Sequence, residues 1–269
     1  MKKLISEFFS KENIEYYSAL PYSALRITRP YLVEREGIVG ASAIIFLIPY
    51  FSKEGVNISS YAVSRDYHLY IKQMTERLSK LLSEKYPEYK FVGFGDHSPI
   101  DERNAALISG LGILGDNGLI INEKYGSYVF IAELITDAPP ELVGTQEPVA
   151  ISACEGCGKC RAACPTGRLS GDAICLSDLT QKKGELTDGE ASIIRQEGTV
   201  GGCDACQRVC PHNLAPKKTP VEFFNSDVIP ELSAELVDSM SEEAFLERAF
   251  AWRGRKTVRR NLEISKKSK

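Results

Sequence analysis

Apolar residues in this chain gather in short runs broken by glycine, proline and charge. The runs VGASAIIFLIPY (39–50) and GSYVFIAELIT (126–136) are rich in isoleucine, valine and aromatics and bounded by glycine or proline, the pattern of buried strands. Between them, Tyr70 to Leu82 (YIKQMTERLSKLL) carries apolar positions at helical spacing, and Asp101 to Ile108 has the start of a second helix. The run FVGFGDHSPI (91–100) reads as a strand that ends on an acid among glycines. Strands and helices alternate, which predicts an α/β domain. Farther on, Ser241 to Phe250 opens with serine in N-cap position and acids in the first turn, a helix start.

Composition adds little to this picture, and it confines any contact with nucleic acid to a local patch. With 269 residues, 43% hydrophobic and 26% charged, the chain has the make-up of an ordinary globular protein whose core needs no disulfide staples. A formal net charge of -3 gives no global basic field to recruit nucleic acid. The one local basic cluster is Trp252 to Lys269, with eight lysines and arginines against Glu263. A solvated helix end explains such a run, and a phosphate-contacting patch is the rival explanation. The longest apolar run, Ala41 to Tyr50, is too short to span a bilayer, and Glu7, Glu12 and Glu15 interrupt the amino-terminal region where a secretory signal needs unbroken apolar residues. No membrane partner and a cytoplasmic location are expected. In that compartment thiols stay reduced and clustered cysteines bind metal.

Cysteine changes the picture. None occurs before residue 154, and all eight lie between Cys154 and Cys210. Cys154, Cys157, Cys160 and Cys164, followed by Pro165, reproduce the bacterial ferredoxin run C-x2-C-x2-C-x3-C-P. Cys203, Cys206 and Cys210, followed by Pro211, match its last three positions, and the remaining thiol is Cys175. In that run the fourth cysteine serves the other cluster. Cys154, Cys157, Cys160 and Cys210 are thereby assigned to one [4Fe-4S] cluster, and Cys164, Cys175, Cys203 and Cys206 to a second. Zinc is the alternative for any C-x2-C pair, but it does not explain a run and its partner that divide eight ligands into two sets of four. The proline-rich stretch 137–148 separates this segment from what precedes it, dividing the chain into 1–145, a double-cluster domain at 146–216, and a helical segment with a basic tail at 217–269.

Other signals are weaker. Gly110, Gly112 and Gly115 satisfy G-x-G-x-x-G, but ERNAALIS before them reads as helix where a dinucleotide site needs a strand. They are read as a loop allowing close approach by a flat ligand or another segment. His68 in DYH resembles the start of a cobalt-ligating motif without its glycine, Ile71 standing there, and is read as a structural or pocket residue. His212, after Pro211, is read as packing beside a cluster. Asp96 is either a turn residue or, in an apolar pocket, an acid with a raised pKa able to donate a proton.

Together SRDYH, GDHSPIDE, GLGILGDNGLI, GSYVFIAELITD, the first cysteine run with its PTG, CLSDLT, GCDACQRVCPHN and FAWRGRKTVRRNL resemble the epoxyqueuosine reductase family in order and spacing over residues 60–262. The resemblance implies a mixed α/β fold: a nitroreductase-like cobalamin-binding domain, then a ferredoxin-like domain with two [4Fe-4S] clusters and short C-terminal helices. It places the catalytic acid on Asp96 and corrin contacts around Tyr61, Ile120, Ile131 and Leu134. It further implies a one-electron donor such as flavodoxin or ferredoxin that loads the clusters, cobalamin reduced by them, and Asp96 protonating the departing oxygen of epoxyqueuosine in tRNA. Two departures stand out. The chain ends soon after Leu262, where family members continue into helical repeats that help hold tRNA, and Gly112-Ile113-Leu114-Gly115-Asp116 replaces the family's G-W-I-G-K. The rival functions are the same build acting on a small molecule, as in reductive dehalogenases, and a two-cluster electron carrier without catalysis.

Overall fold

The computed structural model describes residues 1–266. Its contacts divide the chain into two compact units: residues 1–49 with 68–156, and residues 50–67 with 157–269.

The first unit is built on a four-stranded sheet of order β1-β2-β6-β3, with β1 at Tyr17–Pro21, β2 at Ser42–Pro49, β3 at Phe91–Phe94 and β6 at Val129–Thr136. Every pairing is antiparallel, with β2 and β6 in register from Ser42↔Thr136 to Pro49↔Val129. The two strongest apolar runs thus form the central pair, and all eight residues of β2 are buried. Both faces of that strand are covered, which is why its sequence shows no alternation. Ala43, Ile45 and Leu47 join the cluster that contains Ala105, Ala106 and Leu107 of the helix Glu102–Ile108. Phe46, of the opposite parity, meets Phe9 of the helix Lys2–Lys11 at a ring separation of 5.1 Å. The helix predicted over 70–82 spans Tyr67–Lys85, and Gly93 of β3 lies so close to it that a Cβ there would sit 2.1 Å from Thr75.

Alternation of strand and helix predicted an α/β domain, and the unit has that mixed composition with every strand pairing of its four-stranded sheet antiparallel. Strand β1 was not anticipated, because YSALP at a sheet edge has too few apolar residues to stand out. The stretch 137–148 is folded here: Pro140–Val143 forms a helical turn, and the amide of Gln146 donates to the carbonyl of Ala19 at 2.8 Å.

Close approach also explains the glycine loop. Two short strands, β4 (Ile113–Leu114) and β5 (Ile120–Ile121), pair across it, and a Cβ on Gly112 would lie 2.7 Å from the carbonyl oxygen of Ile121. The preceding segment is helix, so the dinucleotide reading is excluded and a neighbouring strand is what the glycines admit. The same β4 extends the first unit to residue 156: Leu114 bridges Ala153 in parallel, and the amide of Cys154 donates to the carbonyl of Leu114 at 2.9 Å.

The second unit consists of short helices joined by turns. Residues 50–67 belong to it through a dense set of polar links. The amide of Ser59 donates to Gly201 O at 2.7 Å and that of Val200 to Asn57 O at 2.6 Å. Asp204, 3% exposed, accepts from the amide of Ser60 at 2.7 Å and from the hydroxyl of Ser59. Ile58, Ala62 and Val63 then pack with Val200, Val237, Phe245 and Val258. Ser241 caps the helix Glu242–Leu246 as expected; the helix stops there and a 3-10 turn takes over at Ala249–Ala251.

Candidate functional site

Strand β3 ends at Phe94, and the chain turns at once. The amide of His97 donates to Gly95 O at 2.8 Å, closing a three-residue turn whose central residue, Asp96, has φ +64°. A γ-turn with positive φ is the strained form of that turn, and strain of this kind gathers at functional positions. The Asp96 side chain is 66% exposed, so the apolar pocket expected for it is not there. Its Oδ2 instead lies 3.3 Å from Nε2 of His68, at the start of the helix Tyr67–Lys85. His68 is therefore a pocket residue that faces the acid, a pairing that nothing in the two separate segments announces. A groove of about 490 Å³ opens beside the turn, lined by His68, Ile71, Thr75, Gly93, Gly95 and His97.

Two carboxyls behind the turn escaped the sequence reading. Glu102 Oε1 accepts the backbone amide of Asp96 at 2.8 Å. Burial, opposed by that hydrogen bond and reinforced by the charge of Asp96, pushes its pKa up to about 7, with Arg29 opposing and Asp101 adding to the rise. Glu133 stands in the middle of β6 with no exposed surface. Burial and then the charge of Glu102 raise its pKa well above the ordinary carboxylate range, against a hydrogen bond from Ser98. Its other oxygen, Oε2, is buried without a hydrogen-bond partner. The signal was visible: a glutamate inside the otherwise apolar run VFIAELI.

Of the positions tied to the corrin by resemblance, Ile131 is half-buried, whereas Ile120 is 4% exposed and Leu134 fully buried at the centre of the sheet, flanked by Ile44 and Gly93. Side chains closed into a core offer a ligand no surface. Tyr61 belongs to the second unit, where a Cβ on Gly202 (φ +75°) would lie 3.1 Å from its ring.

None of the eight cysteines is in a disulfide. Among the described residues, no three Cys, His, Asp or Glu side chains meet closely enough to hold a single metal ion. Cys154 belongs to the first unit, where the amide of Asp116 donates to its sulfur at 3.3 Å. The other seven belong to the second. The short helices Lys159–Ala162 and Ala205–Arg208, which carry Cys160 and Cys206, pack on each other. Burial raises the pKa of the Cys203 thiol, and the charges of Cys175 and Cys164 raise it further, so these three members of one predicted ligand set lie within electrostatic reach. At Cys164 burial works against the thiolate, but the amides of Leu169, Thr166 and Arg168 and the Thr166 hydroxyl outweigh it and lower the pKa. Thiols gathered with amide donors aimed at them fit the ligation of iron-sulfur clusters. His212 is exposed rather than packed.

The basic terminal run is largely occupied within its own unit. Arg255 donates to the carbonyls of Val237 and Met240, Arg259 pairs with Asp238, and Arg260 donates to Lys182 O at 2.8 Å and Gly184 O at 2.5 Å. Asn261, fully buried, donates to Thr180 O and Val200 O. Lys267 and Lys269, the last two cations of the run, lie outside the described residues.

Comparison with known proteins bears on the cysteine segment, the family and the fold. The 4Fe-4S double cluster binding domain family matches residues 153–213. The epoxyqueuosine reductase of Cyclobacterium marinum is 32% identical over 246 residues, 87% of this chain and 77% of that protein. This chain belongs to the epoxyqueuosine reductase family. The family's enzyme from Listeria monocytogenes is 32% identical, with 79% of this chain and 58% of that protein aligned, and the one from Escherichia coli K12 is 35% identical, with 70% and 50% aligned. The chain thus spans about half to three quarters of the length of these relatives. Solved epoxyqueuosine reductases share the fold. The enzyme from Streptococcus thermophilus matches with a TM-score of 0.77 at 24% identity over 98% of this chain and 80% of that one. A complex with an epoxyqueuosine-modified tRNA-Tyr stem loop matches at 0.78 and 23%, again over 98% and 80%. The Bacillus subtilis enzyme, with its catalytic aspartate loop swung out of the active site, matches at 0.77 and 24% over the same shares. Among the described residues no helix is long and apolar enough to cross a membrane.

Proposed function

We propose that this chain is a cobalamin- and iron-sulfur-dependent reductase that removes the epoxide oxygen of epoxyqueuosine in tRNA. The observation that carries the reading is the coexistence, in a member of this family, of a double-cluster domain with an acid held on a strained turn beside a histidine. The two clusters take the ligand sets Cys154, Cys157, Cys160, Cys210 and Cys164, Cys175, Cys203, Cys206. Cobalamin and the clusters, when bound, would supply the electrons. Asp96 then acts as general acid: exposed at the end of β3, it protonates the epoxide oxygen as the first carbon–oxygen bond breaks, and His68 orients its carboxyl. A second proton from solvent completes release of that oxygen as water when the second bond breaks, with two electrons consumed in all. Ile131 is the corrin-associated side chain of the first unit with surface to offer, while Tyr61, Ile120 and Leu134 rest on the resemblance alone. A ferredoxin or flavodoxin is the donor class suited to single-electron delivery.

A second reading, the same build acting on a smaller oxygenated substrate, is favoured by the internal engagement of Arg255, Arg259 and Arg260, which leaves few cations of the terminal helix for phosphates. Anaerobic purification with cobalamin supplied tests both. About eight irons and one cobalt per chain, with turnover of epoxyqueuosine tRNA, support the first; the same metals without tRNA turnover move the assignment to the second. Iron without cobalt removes the cobalamin reaction and leaves an electron carrier.

A further inference from the structure

The loop after β3 is tied down unevenly. Its second half is locked: the hydroxyl of Ser98, 1% exposed, bonds Glu133; Arg29 donates to Ser98 O at 3.1 Å; and the amides of Thr28 and Arg29 donate to Pro99 O at 2.8 and 3.0 Å. Its first half carries the strained residue Asp96, whose amide points at Glu102. Glu102 itself is fixed by the helix it begins, since Asp101 caps that helix by accepting the amide of Asn104 at 3.1 Å.

We propose that Glu102 is the positioning residue of Asp96: its carboxylate clamps the Asp96 amide, holds the γ-turn in its left-handed form and so keeps the Asp96 carboxyl against His68. A backbone conformation that L residues avoid persists only when its surroundings over-determine it, and a carboxylate accepting the central amide does this. An ionised acceptor makes a stronger bond than a neutral one, about twofold, so the clamp tightens as Glu102 loses its proton. That happens near neutrality, because burial, with the charges of Asp96 and Asp101, favours the neutral form, against the hydrogen bond from the Asp96 amide and the charge of Arg29. Glu133, packed behind from β6, is driven toward its neutral form by burial and by the charge of Glu102, and its own charge acts in turn on Tyr22. One ionisation at Glu102 therefore sets how firmly the turn is held, while Glu133 and Ser98 supply a fixed base. This deepens, and rests on, the reading of Asp96 as the proton donor.

Amide hydrogen exchange of the segment 93–101 in the full-length protein, corrected for intrinsic rates and followed from pH 6 to 8.5, separates the two ideas. In the unsubstituted protein, protection at Asp96 should rise several-fold through about pH 7. Glu102→Gln, which keeps an acceptor oxygen, should retain partial protection with no pH response, Glu102→Ala should lose about tenfold protection, and Glu133→Gln should keep the response of the unsubstituted protein. Circular dichroism confirms that each variant is folded, and Glu102→Gln carries the test if Glu102→Ala is not. A pH response that survives Glu102→Gln, or equal protection at Asp96 in all four proteins, overturns the clamp. Full turnover by Asp96→Ala would instead overturn the proton-donor reading and leave the exchange result standing.

Discussion

The thiols of the cluster domain come from one stretch of chain, Cys154 to Cys210, carried on turns and four-residue helices with little core of their own. The carboxyls around Asp96 come from a strained loop, the first turn of a helix and the middle of a central strand, and they meet only because a sheet closes. The first arrangement is written as local spacing and needs its inorganic partner to finish it. The second is complete as protein, and its chemistry arises from burial: the same functional group, a carboxyl, is two-thirds exposed at Asp96, partly covered at Glu102 and sealed at Glu133. Ligand sets can be read from a sequence; a graded set of acids needs the fold.

The sharpest way to break this contrast is to remove one member from each side. Cys203→Ala should cost about four of about eight irons and leave the first unit's thermal signature intact. Asp96→Ala should keep all the iron and lower turnover by about 10²–10⁴. Iron analysis and single-turnover kinetics read the two outcomes, and a Cys203→Ala protein with full iron would remove Cys203 from its set. Next in size is Asp204→Ala, which orphans the buried amide of Ser60 and loses the Ser59 bond; it should destabilise the second unit by about 2–3 kcal/mol in urea titration.

On the acid side the effect has the opposite sign. Because the folded chain holds the proton of Glu133 while the unfolded chain releases it above the ordinary carboxylate pKa, stability falls as pH rises from that point. Glu133→Gln removes this cost and should raise stability at pH 8 by about 1–3 kcal/mol, with no gain near pH 4. Thermal unfolding at the two pH values checks it, and an equal gain at both would show packing, not protonation, at work. The smallest effect is at the surface: Arg259→Ala, which breaks the pair with Asp238, should cost under about 1 kcal/mol and leave tRNA affinity unchanged, whereas a drop in affinity with a flatter salt dependence would return the terminal helix to the phosphate-binding reading.

Much of the fold was legible where one segment carries its own signal. The eight thiols, the two apolar runs that became the central strand pair, the helix after His68 and the caps at Asp101 and Ser241 all follow from residues close together in sequence. What escaped depends on pairing at a distance. The antiparallel order of the sheet, the edge strand at Tyr17–Pro21, the bond between His68 and Asp96 and the convergence of Glu102 with Glu133 each join segments that are unremarkable alone. The basic tail was half legible for a related reason: its charge is visible in a sequence, but the carbonyls and carboxylates that engage Arg255, Arg260 and Arg259, at Val237, Lys182 and Asp238, are not.

Residues 50–67 leave the sheet unit, join the cluster unit, and hand the chain back at His68. During synthesis this stretch emerges well before Val200, Gly201 and Asp204, which supply its hydrogen-bond partners, so Ile58 and Val63 must wait uncovered while more than a hundred residues are added. Cutting the chain at the first cysteine would strand those partners on separate pieces. The cluster unit is therefore not a cassette that can be excised or transplanted as one contiguous length, and its maturation is tied to completion of the chain that encloses it.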